Sequence, residues 1–372
     1  MDNWQRRWNQ CSKFDTSCQS DFLYLRVQKT ISELSMKERY NYIDYSKAFA
    51  ILLVITGHIC LFCINRGNVN NADNMRIYSW LTVFQMPLFF FLSGIVIKHK
   101  DYSIKETIKH LYKKTRQLLV PFFLFGTIFT LFIHQGFCEF ITPVMKQGYW
   151  YLLVLFELYL IYYFFNPISL LCKSKMFSFV VDLIFIVLLY SMLQLLNKGV
   201  DLNSSCWQNY LSLIQVKRYA PFFFVAIFLR KYDAVNTLFN NKYIMLASLL
   251  IAVITELLKC FNFNIHAIGY WLPWIYIVLS ISIIMKLEVL DNKMTQLLSF
   301  IGAHTLDVYV LHFFIVRSIS MAFLCSYFDN YNYLILELLI ISPISILIAV
   351  ISVYIGRVIR ANKRIESFIF FR

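Results

Sequence analysis

The sequence predicts an all-α fold: a polytopic membrane helix bundle of about ten transmembrane helices with both termini cytosolic. Three observations predict it. The 372 residues are 59% hydrophobic and 18% aromatic but only 15% charged, too apolar for a soluble globule. Apolar runs of spanning length recur along the chain. Lys and Arg gather in alternate connecting segments, as expected of a chain whose cytosolic loops are basic. The net charge of +14, from 35 Lys and Arg against 21 Asp and Glu, is therefore an orientation signal, and no nucleic-acid partner is expected. The nine cysteines are scattered, and the single CxxC, Cys60 and Cys63, ends the first span as small apolar residues.

Residues 1–40 are mixed polar, without the apolar core of a signal peptide, and read as a cytosolic tail. Met36 is an alternative start, which would put residues 1–35 upstream of the protein. Residues 41–358 form the membrane domain and 359–372 a basic cytosolic tail. Spans are expected near 44–62, 79–97, 118–136, 150–165, 177–196, 211–229, 243–260, 267–285, 297–316 and 333–355.

The first span, NYIDYSKAFAILLVITGHIC, carries Asp44, Lys47 and His58 where lipid tolerates none of them without a partner or water. On a helix, Lys47 and His58 share a face with a rise of about 16 Å between them, and Asp44 joins that face. His58 is a candidate general base or a histidine bonded to a neighbouring helix; Asp44 and Lys47 line a wet cavity or simply pair. In the second span, Pro87 predicts a kink, and Ser93-Gly94 lets a helix or a ligand approach closely. The loop before the third span holds Lys98, Lys100, Lys105, Lys109, Lys113, Lys114 and Arg116. That cluster suits a polyphosphate or anionic headgroups.

Gly148-Tyr149-Trp150-Tyr151 opens the fourth span with Glu157 inside it, and Arg218-Tyr219-Ala220-Pro221 opens the sixth. The aromatics read as an interfacial belt, while Glu157 and Arg218 are candidates for an acceptor pocket. In the ninth span His304, Asp307 and His312 fall on one helical face, beside a stripe of Thr305, Tyr309 and His312. The two histidines lie over two turns apart, too far for a metal pair, and no metal is expected.

The blocks IDYSKAFAILLVITGH, QMPLFFFLSG, KTRQLLVPF, YWYLLVLF, RYAPFFFVAIFL and IGAHTLDVYVLH, in this order, resemble the membrane-bound acyltransferase 3 family, especially its sugar O-acetylases similar to fucose 4-O-acetylase. The resemblance covers about residues 36–358. It implies an acetyl-CoA-dependent O-acetyltransferase that moves an acetyl group to a hydroxyl of a cell-envelope saccharide. The implied setting is the bacterial cytoplasmic (inner) membrane, and the implied partners are acetyl-CoA, a saccharide acceptor and the bilayer. Mapped by the family's motifs, Lys47 precedes the catalytic His58, with Lys where Arg is usual. Lys113 and Arg116 match the basic pair before the third span, and Gly302, Thr305, Tyr309 and His312 match the ninth-span block. Ala226 stands where Gly is often found.

On this reading the coenzyme's phosphates rest on Lys113, Lys114 and Arg116, and the pantetheine arm passes Ser93 and the first span. His58 acts as general base, or through an acetyl-histidine, with Asp44 orienting Lys47. Tyr309 or Thr305 donates to the oxyanion, while His312, Glu157, Arg218 and Trp150 meet the acceptor. The rival reading is a transporter or flippase for an envelope lipid or polysaccharide, which would need no acyl donor.

Overall fold

The computed structural model describes residues 41–97, 103–170, 174–198, 207–261, 269–288, 290, 292–330, 333–364 and 366. The N-terminal tail, Lys98, Lys100 and the last six residues lie outside these. The described residues are helical, with no strand among them. Each expected span overlaps helix among the described residues: α1 (Asn41–Ile64), α2 (Arg76–Ile95), α3 (Ile104–Phe132), α4 (Trp150–Leu170) and α5 (Lys175–Leu196). Then follow α6 (Leu213–Lys231), α7 (Lys242–Cys260), α8 (Leu272–Leu287), α9 (Lys293–Gly302), α10 (Thr305–Ser318) and α11 (Leu334–Ala361). Among the described residues, α1, α2, α3, α5 and α11 are long and apolar enough to cross a membrane, and α9 with α10 make a sixth if counted as one broken span. The protein is a membrane protein.

Local chemistry explains the features that shape the site. The last turns of α1, Ile59–Ile64, are π-helical, and His58 is the residue just before them. Such single π turns widen the hydrogen-bond ladder and recur where a helix carries function. Glu337 of α11 caps α2, its Oε2 accepting from the Ile77 N–H at 2.6 Å. At the other end of α2, Gly94 meets the Phe223 carbonyl, and a Cβ there would lie 2.9 Å from Ala226 Cβ. Ser93-Gly94 is thus first of all the close contact between α2 and α6, and Ala226 is small enough to allow it.

The basic stretch before the third span is not a loop. A capping box starts α3 at Ser103: its Oγ accepts from the Glu106 N–H at 3.3 Å, and Glu106 Oε2 accepts from the Ser103 N–H at 2.9 Å. Lys105, Lys109, Lys113, Lys114 and Arg116 therefore point out all round a helix instead of converging.

Between α3 and α4 the chain folds back on α3. The Phe140 ring covers Gly126 and lies 5.0 Å from that of Phe122. Lys146 is fully buried there, its ammonium donating to the carbonyls of Ile141, Pro143 and Asn209 at 2.6, 2.8 and 2.6 Å. Burial lowers its pKa from 10.5 to about 8, against the opposing pull of Glu157. Lys146 and Gln147 both adopt the left-handed region, with φ of 45° and 51°, and Gly148 follows at 96°. Only glycine takes that conformation freely, so the turn stores strain that its three carbonyl bonds hold.

The expected ninth span is broken. α9 and α10 meet at 85°, because Ala303 and His304 interrupt the helix. Gly302 lets the elbow press onto α1, where any Cβ would run into the Asp44 carbonyl. His304, Asp307 and His312 consequently do not share one face.

Candidate active site

The elbow, α1, α3, α4 and the end of α11 enclose a cavity of about 470 Å³. Asp44, Lys47, Thr305 and Tyr309, four of the residues singled out in the sequence, line it together. Asp44 and Lys47 form an ion pair at 3.2 Å and both are half-buried. Gln117, Tyr151, Gly302, His304 and Arg360 also face it. Asp307 is fully buried behind the wall and holds Arg360 through two hydrogen bonds, one from Nε to Oδ2 at 3.0 Å and a second from Nη2 to Oδ1. The fork fixes the guanidinium of α11 at the cavity edge.

Tyr309 links this cavity to a second cluster. Its ring lies 6.0 Å from that of His312, which lies 5.4 Å from that of His58 in a stacked arrangement. Phe62 and Phe313 wall the pair at 5.6 and 4.5 Å from His58. His58 is half-buried and makes no hydrogen bond among the described residues, whereas His312 is fully buried with Nδ1 at 2.9 Å from the Val308 carbonyl. The strained turn braces this wall. The Tyr309 hydroxyl donates to the Gly148 carbonyl at 2.7 Å, the Tyr149 hydroxyl to Val310 at 2.8 Å, and the Phe313 ring fills the space a Cβ at Gly148 would need. Tyr309 therefore spends its proton on Gly148, and Thr305, at the first turn of α10, remains the freer donor of the two.

The other singled-out residues lie elsewhere. Lys114 sits one turn from Gln117 on the cavity side of α3, its ammonium 4.3 Å from the Tyr159 ring centroid. Lys113 is exposed, and Arg116 turns to an apolar groove with Leu119, Val120 and Phe123 on another face of α3. Ser93 shares a hydrogen bond of 2.9 Å with the hydroxyl of Tyr151, which lines the cavity. The carboxylate oxygens of Glu157 are buried without a hydrogen-bond partner among the described residues. Trp150 stacks on Tyr219 at 5.3 Å, beside Phe90. Arg218 lines a different cavity, of about 800 Å³, among α2, α5, α6 and α8. Among the described residues no cluster of three or more His, Cys, Asp or Glu could hold a metal.

Sequence reasoning missed Arg360, read as part of a basic C-terminal stretch, and Gln117. Half of the signal was available: Asp307 in an apolar span demands a cation, although many near the span ends could supply it.

The fold and the site define a membrane-embedded helix bundle in which a cation-lined cavity adjoins, through Tyr309, a stacked pair of imidazoles. Residues 40–355 match the family model described as an acyltransferase domain, acyltransferase 3, and the chain belongs to that family. It is a membrane acyltransferase, acting between an acyl donor and an acceptor. No curated protein and no solved structure matches the chain.

Proposed function

We propose that the protein transfers an acetyl group from cytosolic acetyl-CoA to a hydroxyl of a cell-envelope saccharide, in the bacterial cytoplasmic membrane, as the sugar O-acetylases resembling fucose 4-O-acetylase do. The chain crosses the membrane about ten times with both termini inside. The observation that carries the reading is the continuity from the cationic cavity of Lys47 and Arg360, through Tyr309, to the His58–His312 pair.

Lys47, Arg360 and Lys114 attract the donor's phosphates, with the Arg360 guanidinium held at the cavity edge by Asp307 and with Glu366 3.9 Å from its Nη1. Lys113 and Arg116 act from the helix surface, steering the polyanion toward the mouth. The thioester extends past Ser93 and Tyr151 toward Tyr309. His58 takes the proton of the acceptor hydroxyl as the oxygen attacks the acetyl carbonyl. Thr305 or a backbone N–H at the start of α10 donates to the oxyanion. The C–S bond then breaks and the thiolate takes the proton from the imidazolium. Glu157, Trp150 and Arg218 serve the acceptor from the α4–α6 side.

Label from acetyl-CoA should move into the envelope glycan in membranes holding wild-type protein, with release of free CoA, and His58→Ala should abolish both while still inserting. Normal labelling by the His58 variant would refute the base. Labelled acceptor appearing without acetyl-CoA consumption would point instead to transport.

A further inference from the structure

We infer that His312 is the hydrogen-bond acceptor for His58 in its imidazolium form, so that the proton taken from the substrate hydroxyl is held against a second, permanently neutral histidine. This rests on His58 being the base.

A carbonyl oxygen can only accept, so the bond from His312 Nδ1 to Val308 at 2.9 Å puts the ring hydrogen on Nδ1. In the neutral ring Nε2 is then a bare lone pair. That atom is buried and has no hydrogen-bond partner among the described residues. Buried acceptors are rarely left unmade, and the N–H that His58 carries on the nitrogen not used as base can fill this one, in a bond that strengthens when the ring becomes an imidazolium. The rings lie 5.4 Å apart at 27°, and no hydrogen bond restrains His58. A centroid separation of 5.4 Å is close to that of two imidazoles joined by one N–H···N bond, so a turn of the unrestrained His58 ring is the only movement the inferred bond asks for.

The step balances. The hydroxyl proton passes to the free ring nitrogen of His58 as the C–O bond forms; the other N–H of His58 donates to His312 Nε2; on C–S cleavage the thiolate removes the proton. His312 gains and loses none, and is a positioning residue. In the serine hydrolases a carboxylate stands behind the histidine base. Here no hydrogen bond or ion pair joins either ring to a carboxylate among the described residues. The other titratable or charged groups near the pair are Tyr149 and Tyr309, both donating to carbonyls, Cys63, whose Sγ donates to Val316 at 3.2 Å, and Arg317 over the Phe62 ring at 4.9 Å.

The test is the pH–rate profile of CoA release from acetyl-CoA in membranes that contain the native acceptor. A hydrogen bond to a charged group supports a factor of roughly 10 to 100. His312→Phe should lower kcat by that factor with the donor KM unchanged, and should move the acid limb to lower pH, because the imidazolium has lost its acceptor. His312→Gln, which keeps an acceptor oxygen, should restore part of both. A fall in kcat with the acid limb unmoved means packing alone and overturns the proposal, as does no fall. If the Phe variant does not insert, His312→Gln and His312→Met decide: unequal limbs support the proposal, equal limbs overturn it. Activity in His58→Ala would remove the base reading itself, whereas an inactive His58→Ala with a normal His312→Phe removes only this inference.

Discussion

Two cavities of this protein handle charge in opposite ways. In the 470 Å³ cavity at the elbow, both cations have carboxylate partners: Lys47 has Asp44 at 3.2 Å, and Arg360 has the buried Asp307. In the 800 Å³ cavity among α2, α5, α6 and α8, Lys217 and Arg218 share the wall with Tyr190, Tyr219 and Trp274, and no carboxylate is among its lining residues. Lys217 reaches only as far as Gln194 Oε1, at 3.3 Å. An intramembrane cation costs stability unless paired or wet. The paired cavity is thus part of the fold, and its charges are held in place before any ligand arrives. Among the described residues the cations of the larger cavity have no carboxylate partner, and the fold should depend on them little.

That contrast is open to direct attack. The largest effect should come from Arg360→Met, which leaves Asp307 buried without its fork. Loss of one partner of a buried pair costs about 3–5 kcal/mol, read as a lower unfolding temperature in detergent. Replacing both Lys217 and Arg218 with Ala should leave that temperature nearly unchanged. Equal losses in the two variants would erase the distinction.

Lys146 gives a second, pH-dependent effect. Its folded pKa, about 8, lies below the ordinary 10.5, so between these values the unfolded chain binds more protons and stability rises with pH. The unfolding temperature of wild type should carry that rise, and Lys146→Met should flatten it. A rise of the same size in the variant would show that the buried ammonium is not its source.

A smaller effect is expected from Arg218→Ala on catalysis: a several-fold higher KM for the acceptor and an unchanged KM for acetyl-CoA. The reverse pattern would assign the larger cavity to the donor. Smallest of all is Lys113→Ala. The exposed side chain steers only, so its effect should stay within about two-fold and vanish at high salt.

Much of this was legible in the chain. Helical spacing alone puts Asp44, Lys47 and His58 along one side of α1, and the ten apolar runs overlap helices among the described residues. The elbow was not legible, because SFIGAHTLDVYVLH reads as one continuous helix with a polar stripe. What breaks it is tertiary: Gly302 meets the backbone of α1 at Asp44, a contact with no local signature. The basic segment of α3 was legible but misread as a loop. Ser103 followed three residues later by Glu106 is a helix start, and it spreads Lys113, Lys114 and Arg116 around a cylinder. The stacking of His58 on His312 joins residues from opposite ends of the chain, and no spacing rule reaches across such a distance.

The account places donor binding in the cationic cavity of Lys47 and Arg360 and the chemistry at the adjoining His58–His312 pair. Steady-state kinetics of acetyl-CoA turnover in Lys47→Ala and His58→Ala, measured side by side, test it most directly. The account predicts a raised donor KM with kcat largely kept for Lys47, and for His58 a loss of roughly 10² to 10⁴ in kcat with donor KM kept. The same change in both variants, or the two patterns exchanged, would contradict it.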